Sequence, residues 1–288
     1  MLNEDIIKKV RRIEIKARGL SQQMFSGEYH SAFKGRGMAF SEVREYQYGD
    51  DVRNIDWNVT ARLAHPYIKM FEEERELTVM LLVDVSGSGR FGTNHQFKEE
   101  LAAEVAATLA FSAISNNDKV GVLLFSDQIE KYIPPKKGRS HILRIIRELI
   151  TFRPQSSGTD IGNALSYFYN MNKRRCTTFL LSDFFDSGYN DALKLTASRH
   201  DLMALRLADR REEKLDNLGL VKFYDPESTE TVWVDTSDKR VRKEVDRRIA
   251  EQTEQTDNMF RRYGIDMATL YTGEDFVQPL KGLLKRRS

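Results

Sequence analysis

The sequence predicts an α/β fold built on an open, mostly parallel, doubly wound sheet with an N-terminal helix-plus-strand embellishment, and three observations carry that prediction. From Thr78 onward, strand-like and helix-like patterns alternate, which specifies a sheet with helices on both faces. The strongest strand candidates, Thr78 to Val83 and Val120 to Phe125, are continuous apolar runs rather than alternating ones, as expected of parallel strands covered on both sides. Between them Phe97, Leu101, Val105, Leu109 and Ala113 recur at four-residue spacing, one face of a helix, and Asn116-Asn117-Asp118 closes it with a turn.

The other elements follow in order. Ile129 to Ile133 reads as a short edge strand cut off by Pro134-Pro135. A helix is expected from Ser140, its cap, to Phe152, and another from Asp160 to Asn172, with the polar loop Arg153 to Thr159 between them. Strand Thr177 to Leu181, helix Asp191 to His200 and strand Leu202 to Leu207 continue the alternation. A hairpin-like stretch, Leu220 to Val234, precedes a charged helix from Asp238 to Tyr263 and a last strand from Ile265 to Leu270. Ahead of the sheet, Ile6, Val10, Ile13, Ala17 and Leu20 form one stripe of a basic helix. From Ser21 to Arg75 the pattern is irregular, punctuated by Gly27, Gly35, Gly37 and Gly49, with Tyr67 to Phe71 as a strand. Two regions result: residues 1–75, expected to pack on the main domain, and residues 76–288, the main domain with its C-terminal helix and strand.

Composition narrows the function. The 288 residues carry 45 Lys+Arg against 43 Asp+Glu, a net charge of +2, so the basic excess of a dedicated nucleic-acid binder is absent. At 40% hydrophobic the chain can bury a substantial core. No apolar run approaches the roughly 18 residues of a membrane span, and the charged start MLNEDIIKKVRRIEIK does not read as a signal peptide. A single cysteine, Cys176, leaves no disulfide framework, so a reducing cytoplasm is the expected location. The five histidines, His30, His65, His95, His141 and His200, show no paired ligand spacing for zinc. Lys8, Lys9, Arg11, Arg12, Lys16 and Arg18, and the tail Lys285-Arg286-Arg287, offer contact to an anionic lipid surface or nucleic acid, although a solvated helix docked on its own domain is the preferred reading.

Ligands of such sheets bind outside the carboxyl ends of the strands, where strand order reverses. The first buried strand runs into Asp84-Val85-Ser86-Gly87-Ser88, placing three oxygen side chains at alternate positions. Thr159, in the loop entering the Asp160 helix, and Asp183, after strand Thr178 to Ser182, supply oxygens at equivalent places. Hard oxygen donors suit Mg²⁺, Mn²⁺ or Ca²⁺. These five positions resemble the metal-ion-dependent adhesion site of the von Willebrand factor A domain, written DxSxS, then Thr, then Asp. The resemblance implies that Ser86, Ser88 and Thr159 touch the metal while Asp84 and Asp183 act largely through water. An ion ligated that way keeps charge for a partner's Glu or Asp.

A competing enzyme reading uses the same rim. Gly87-Ser88-Gly89-Arg90-Phe91-Gly92 is a G-x-G-x-x-G after a strand, and Asp127 stands where a ribose-binding acid would. Against it, the next helical pattern begins near Phe97, so the last glycine lies outside the helix that should cradle a pyrophosphate. Asp127, Asp160 and Asp186 are the candidates for a general base, whereas Ser86 lacks the G-x-S-x-G elbow of a serine hydrolase.

A second segment, Gly35 to Arg62, alternates Arg44, Arg53 and Arg62 with Asp50, Asp51 and Asp56 around Tyr46 and Trp57. This is similar to the signature of the bacterial family called domain of unknown function 58, which pairs it with a von Willebrand A-like domain, and the matches cover most of residues 30–210. The resemblance implies an adaptor that works beside a MoxR-type AAA+ ATPase in protein maturation or stress responses, not an enzyme. Many members carry transmembrane helices before this segment. Its Arg and Asp residues are expected to hold the embellishment in place through ion pairs and a buried Trp57 indole.

Overall fold

The computed structural model describes residues 2–24, 39–72, 76–92, 96–224 and 231–287. Gly35 to Met38 of the signature, His30 and His95 lie outside the described residues. The chain forms two compact units, Met1–Phe33 with Thr78–Ser288, and Lys34–Leu77.

In the larger unit β3 (Thr78–Asp84), β4 (Lys119–Phe125), β5 (Ile129–Lys136), β6 (Thr177–Ser182), β7 (Asp201–Ala208) and β10 (Asp266–Tyr271) make one six-stranded sheet in the order β10-β7-β6-β3-β4-β5. Every neighbouring pair is parallel except β4 with β5. Counted from β3, this is the doubly wound order 3-2-1-4-5-6. The order reverses between β3 and β6, so the crevice lies at Asp84 and Ser182.

Three helices cover one face: α5 (Ile161–Met171), α6 (Asn190–Arg199) and α7 (Lys239–Arg262). Their Leu165, Phe168, Leu193 and Phe260 meet Met80, Leu82, Leu123 and Leu180 of the strands in one core. On the other side α3 (Lys98–Ser115) packs on β3 and β4, and α1 (Leu2–Met24) and α4 (Arg139–Thr151) cover it. The four-residue stripe expected of α3 understates its burial. Leu101 to Ala103 and Val105 to Ala113 are all buried, because α1 covers the face a surface helix would leave to water.

Several boundaries differ from expectation. β5 continues through Pro134-Pro135 to Lys136, which an edge strand tolerates because its outer side needs no N–H donors. Phe97 is the residue before α3 and is 48% exposed, so the helix starts at Lys98. Gly138 at φ +99, not Ser140, precedes α4. No element was expected at Val277–Lys285, yet α8 forms there and buries Val277, Leu280, Leu283 and Leu284. Pro279 sits in its first turn, where the missing N–H costs no helical bond. The charged tail is tied down as well: Arg287 pairs with Asp266 and Asp201, and Arg286 donates to the Met267 carbonyl. The hairpin is formed by β8 (Leu220–Tyr224) and β9 (Thr231–Asp235).

The N-terminal helix belongs to the larger unit, so the division expected at residue 75 shifts. Ile13, Ala17 and Ser21 are buried, while Lys9 pairs with Glu100, Lys16 with Glu104 and Glu14 with Arg139.

In the Lys34–Leu77 unit, β1 (Ala39–Glu45) pairs antiparallel with β2 (Tyr67–Glu72), and a short helix, α2 (Trp57–Leu63), lies between them. Asp56 caps α2 by accepting from Asn58 N and Val59 N. Arg44 pairs with Asp50, Arg53 with Asp51 and Lys69 with Asp56, so these charges shape the turns of their own unit. Trp57 corrects the expectation of a buried indole: it is the first residue of α2, a helix with no buried residue, and is 70% exposed.

Candidate functional site

β3 ends at Asp84, and Val85 N still donates to the Phe125 carbonyl, so the following loop departs from a fixed strand end. Asp84 is held by both oxygens. Oδ1 accepts from Ser86 N at 2.9 Å, and Oδ2 accepts from Ser182 Oγ at 2.6 Å across the crevice. Ser86 Oγ and Ser88 Oγ stand 3.1 Å apart in the tight turn Gly87–Arg90.

Asp183 follows β6 and is nearly buried. Its Oδ1 accepts from Phe185 N at 3.2 Å. Phe184, next to it, has φ +62, a left-handed conformation that costs a bulky residue about 1–3 kcal/mol. Its ring is retained by an edge-on contact with Phe260, centroids 5.0 Å apart.

A cleft of about 10 Å³ brings Asp84, Ser88, Lys98, Ser182 and Asp183 together, room for about one water-sized guest. Thr159 does not line it. It lies half-buried two residues past Ser157, whose carbonyl accepts from Gly87 N at 2.8 Å, so its loop is stitched to the serine turn.

Burial, and then the negative Asp183 beside it, push the Asp84 carboxyl up to about 7. The donor set fits a small divalent cation. Two oxygens on neighbouring octahedral positions of Mg²⁺, each about 2.1 Å from it, lie about 3 Å apart, and the serine pair has that separation. Among the described residues no cluster of three or more His, Cys, Asp or Glu is arranged to hold a metal, so a site here depends on hydroxyls.

Sequence reasoning missed two residues. Lys98 Nζ, buried at the start of α3, donates to Asp183 Oδ2 at 2.9 Å and to Glu212 Oε1 at 2.8 Å. Burial opposes its charge, but the two carboxylates outweigh that and raise its pKa. Burial raises that of Glu212 against the pull of Lys98. One signal was available: a lysine in the first turn of a helix opposes the macrodipole, so a specific anionic neighbour is expected there.

The carboxylates expected as alternative general bases each hold a loop. Asp127 accepts from Ser156 Oγ, Asp160 caps α5 through Asn163 N, and Asp186 accepts from Ile161 N and Ser187 N. Gly92 has a local reason to be glycine, since a Cβ there would stand 2.1 Å from the Gln96 carbonyl oxygen.

A family model described as "Protein of unknown function DUF58" matches residues 42–255. The chain belongs to that family. The DUF58 match begins within β1 and runs through most of α7, so it starts later than the range expected from sequence and extends past its C-terminal end. The uncharacterized protein Rv1480 of Mycobacterium tuberculosis is 29% identical over 271 residues, covering 93% of this chain and 85% of the relative. Among solved structures, the conserved hypothetical protein BatB of Bacteroides thetaiotaomicron is similar at TM-score 0.49 and 15% identity, covering 73% of this chain and 98% of BatB. The SpRpn10 VWA domain is similar at TM-score 0.38 and 9% identity, covering 74% and 94%. The fold class rests on the sheet order described above rather than on these likenesses. No helix among the described residues is long and apolar enough to cross a membrane.

Proposed function

We propose that this DUF58 protein is a non-enzymatic, metal-dependent interaction module whose strand-end rim captures a carboxylate of a protein partner. The single observation that carries the reading is the 3.1 Å pair of Ser86 and Ser88 hydroxyls beside Asp84 at the point where strand order reverses. Ser86 and Ser88, with Thr159 from the stitched loop, would hold Mg²⁺, and Mn²⁺ or Ca²⁺ are the other hard cations suited to such oxygens. Asp84 and Asp183 orient the loops from beneath. A bound cation ligated mainly by neutral hydroxyls supplies a positive centre for an incoming Glu or Asp. The remaining work falls to the chain: the Asp84 to Ser182 bond fixes the crevice, and the Gly87 to Ser157 bond keeps the third donor's loop in place. A MoxR-type AAA+ ATPase, or its client, is the proposed partner, and the cytoplasm the proposed location.

The test is capture of an immobilised MoxR-type ATPase by wild type and by Ser86→Ala/Ser88→Ala, with Mg²⁺ or with chelator, alongside calorimetric titration of Mg²⁺. Expected are capture by wild type in Mg²⁺ alone and a Mg²⁺ affinity about 10–100-fold weaker in the variant. Capture that is unchanged by chelator and by the variant overturns the reading.

A further inference from the structure

The structure shows a groove far larger than the rim cleft, between α1 and α4. It is an open furrow offering about 1140 Å³. Ile6 and Val10 of α1 and Leu143 of α4 make its apolar floor, and Ile7 on its edge is 63% exposed. Its charges are unbalanced. Glu14 is taken by Arg139 and Glu148 by Lys131, whereas Arg11, Arg144 and Arg147 have no acidic partner among the described residues. These three guanidiniums are exposed and rim an apolar trough, the complement of an acidic surface with an apolar stripe.

We infer that the α1–α4 groove docks an acidic amphipathic helix of a protein partner. Two packed helices leave a furrow along their axes, and a third helix fills it by placing apolar side chains at three- and four-residue spacing on the floor. Arg139 to Thr151 spans about 18 Å at 1.5 Å per residue, the length of about 12 helical residues. Asp or Glu on both flanks of that stripe meets Arg11 on one side and Arg144 with Arg147 on the other. A lipid surface is the less suitable occupant, because, of the apolar lining, only Ile7 is exposed, whereas Ile6, Val10 and Leu143 are half-buried.

The probe is a fluorescein-labelled helical peptide of about 12 residues, Leu on one stripe and Glu elsewhere, with a Lys counterpart of the same Leu pattern. Fluorescence anisotropy is read against the full chain and against Arg144→Glu/Arg147→Glu, whose exposed sites keep the fold, as circular dichroism checks. Expected are binding of the Glu peptide, no binding of the Lys peptide, and a loss of at least about tenfold in the variant. Equal binding of both peptides, no binding of the Glu peptide, or an unaffected variant overturns the proposal. Vesicles of phosphatidylserine and phosphatidylcholine form the second arm: wild type that sediments with them and a variant that does not would make this face a membrane surface and overturn it as well.

Discussion

The ion pairs of the two units differ in reach and in surroundings. In the Lys34–Leu77 unit Arg44 meets Asp50 six residues away in a half-buried pair, and Arg53 meets Asp51 two residues away in an exposed one. At the rim of the larger unit Lys98 meets Asp183 and Glu212, 85 and 114 residues away, with its own side chain 2% exposed. The local pairs shape turns that the backbone already favours, and solvent screens them. The distant triad joins three elements, and each of its members depends on the others to offset lost hydration.

The largest effect that tests this contrast is expected from Lys98→Met. It leaves Asp183 and Glu212 without their cation and should lower stability by about 3–5 kcal/mol in urea unfolding followed by circular dichroism. A loss under about 1 kcal/mol would place the triad with the local pairs instead. Added Mg²⁺ should recover part of the loss if the rim holds the ion, since a second cation then faces Asp183.

A smaller effect separates the units by pH. His200 packs on Phe168 with its Nδ1 3.2 Å from Cys176 Sγ, and burial, then Arg199 and Arg175, hold its imidazole down at about 4. The folded state keeps it neutral while an unfolded chain protonates it, so its stability contribution is present above pH 6.5 and is lost as pH falls through that value toward 4. Asp51, held down at about 2 by hydrogen bonds from Arg53, keeps its contribution until pH falls from 3.8 toward 2. Asp84, raised to about 7, acts in the opposite sense over the same range, so the reading is a difference: relative to His200→Gln, the thermal midpoint of wild type should decline between pH 6.5 and 4. An unchanged slope would assign the decline to other groups.

The smallest effect is expected from Arg44→Gln, which removes one half-buried pair within a single turn. Cys176 serves as the reporter, since burial pushes its thiol up to about 11 and native labelling by iodoacetamide at pH 8 should be very slow. Arg44→Gln should leave that labelling as slow as in wild type, while Lys98→Met should quicken it. Equal acceleration in both would erase the distinction between the units.

Much of the larger unit was legible in the sequence because its signals are local. Apolar runs specified β3 and β4, turn residues bounded α3, and the ends of β3 and β6 put Asp84 and Asp183 on one rim as soon as the sheet was parallel. The sequence by itself determined the strands of the main sheet, the helices between them, the crevice between β3 and β6, and the family signature, but not α8, α2 or β1. Only the tertiary structure decided that Lys98 and Glu212 join Asp183, that Thr159 sits outside the small cleft, that Trp57 is exposed, and that α1 and α4 leave an arginine-rimmed groove. The physical reason is common to all four. Periodicity fixes which face of an element is apolar, whereas a charge or a groove acquires its partner from packing between elements far apart in the chain.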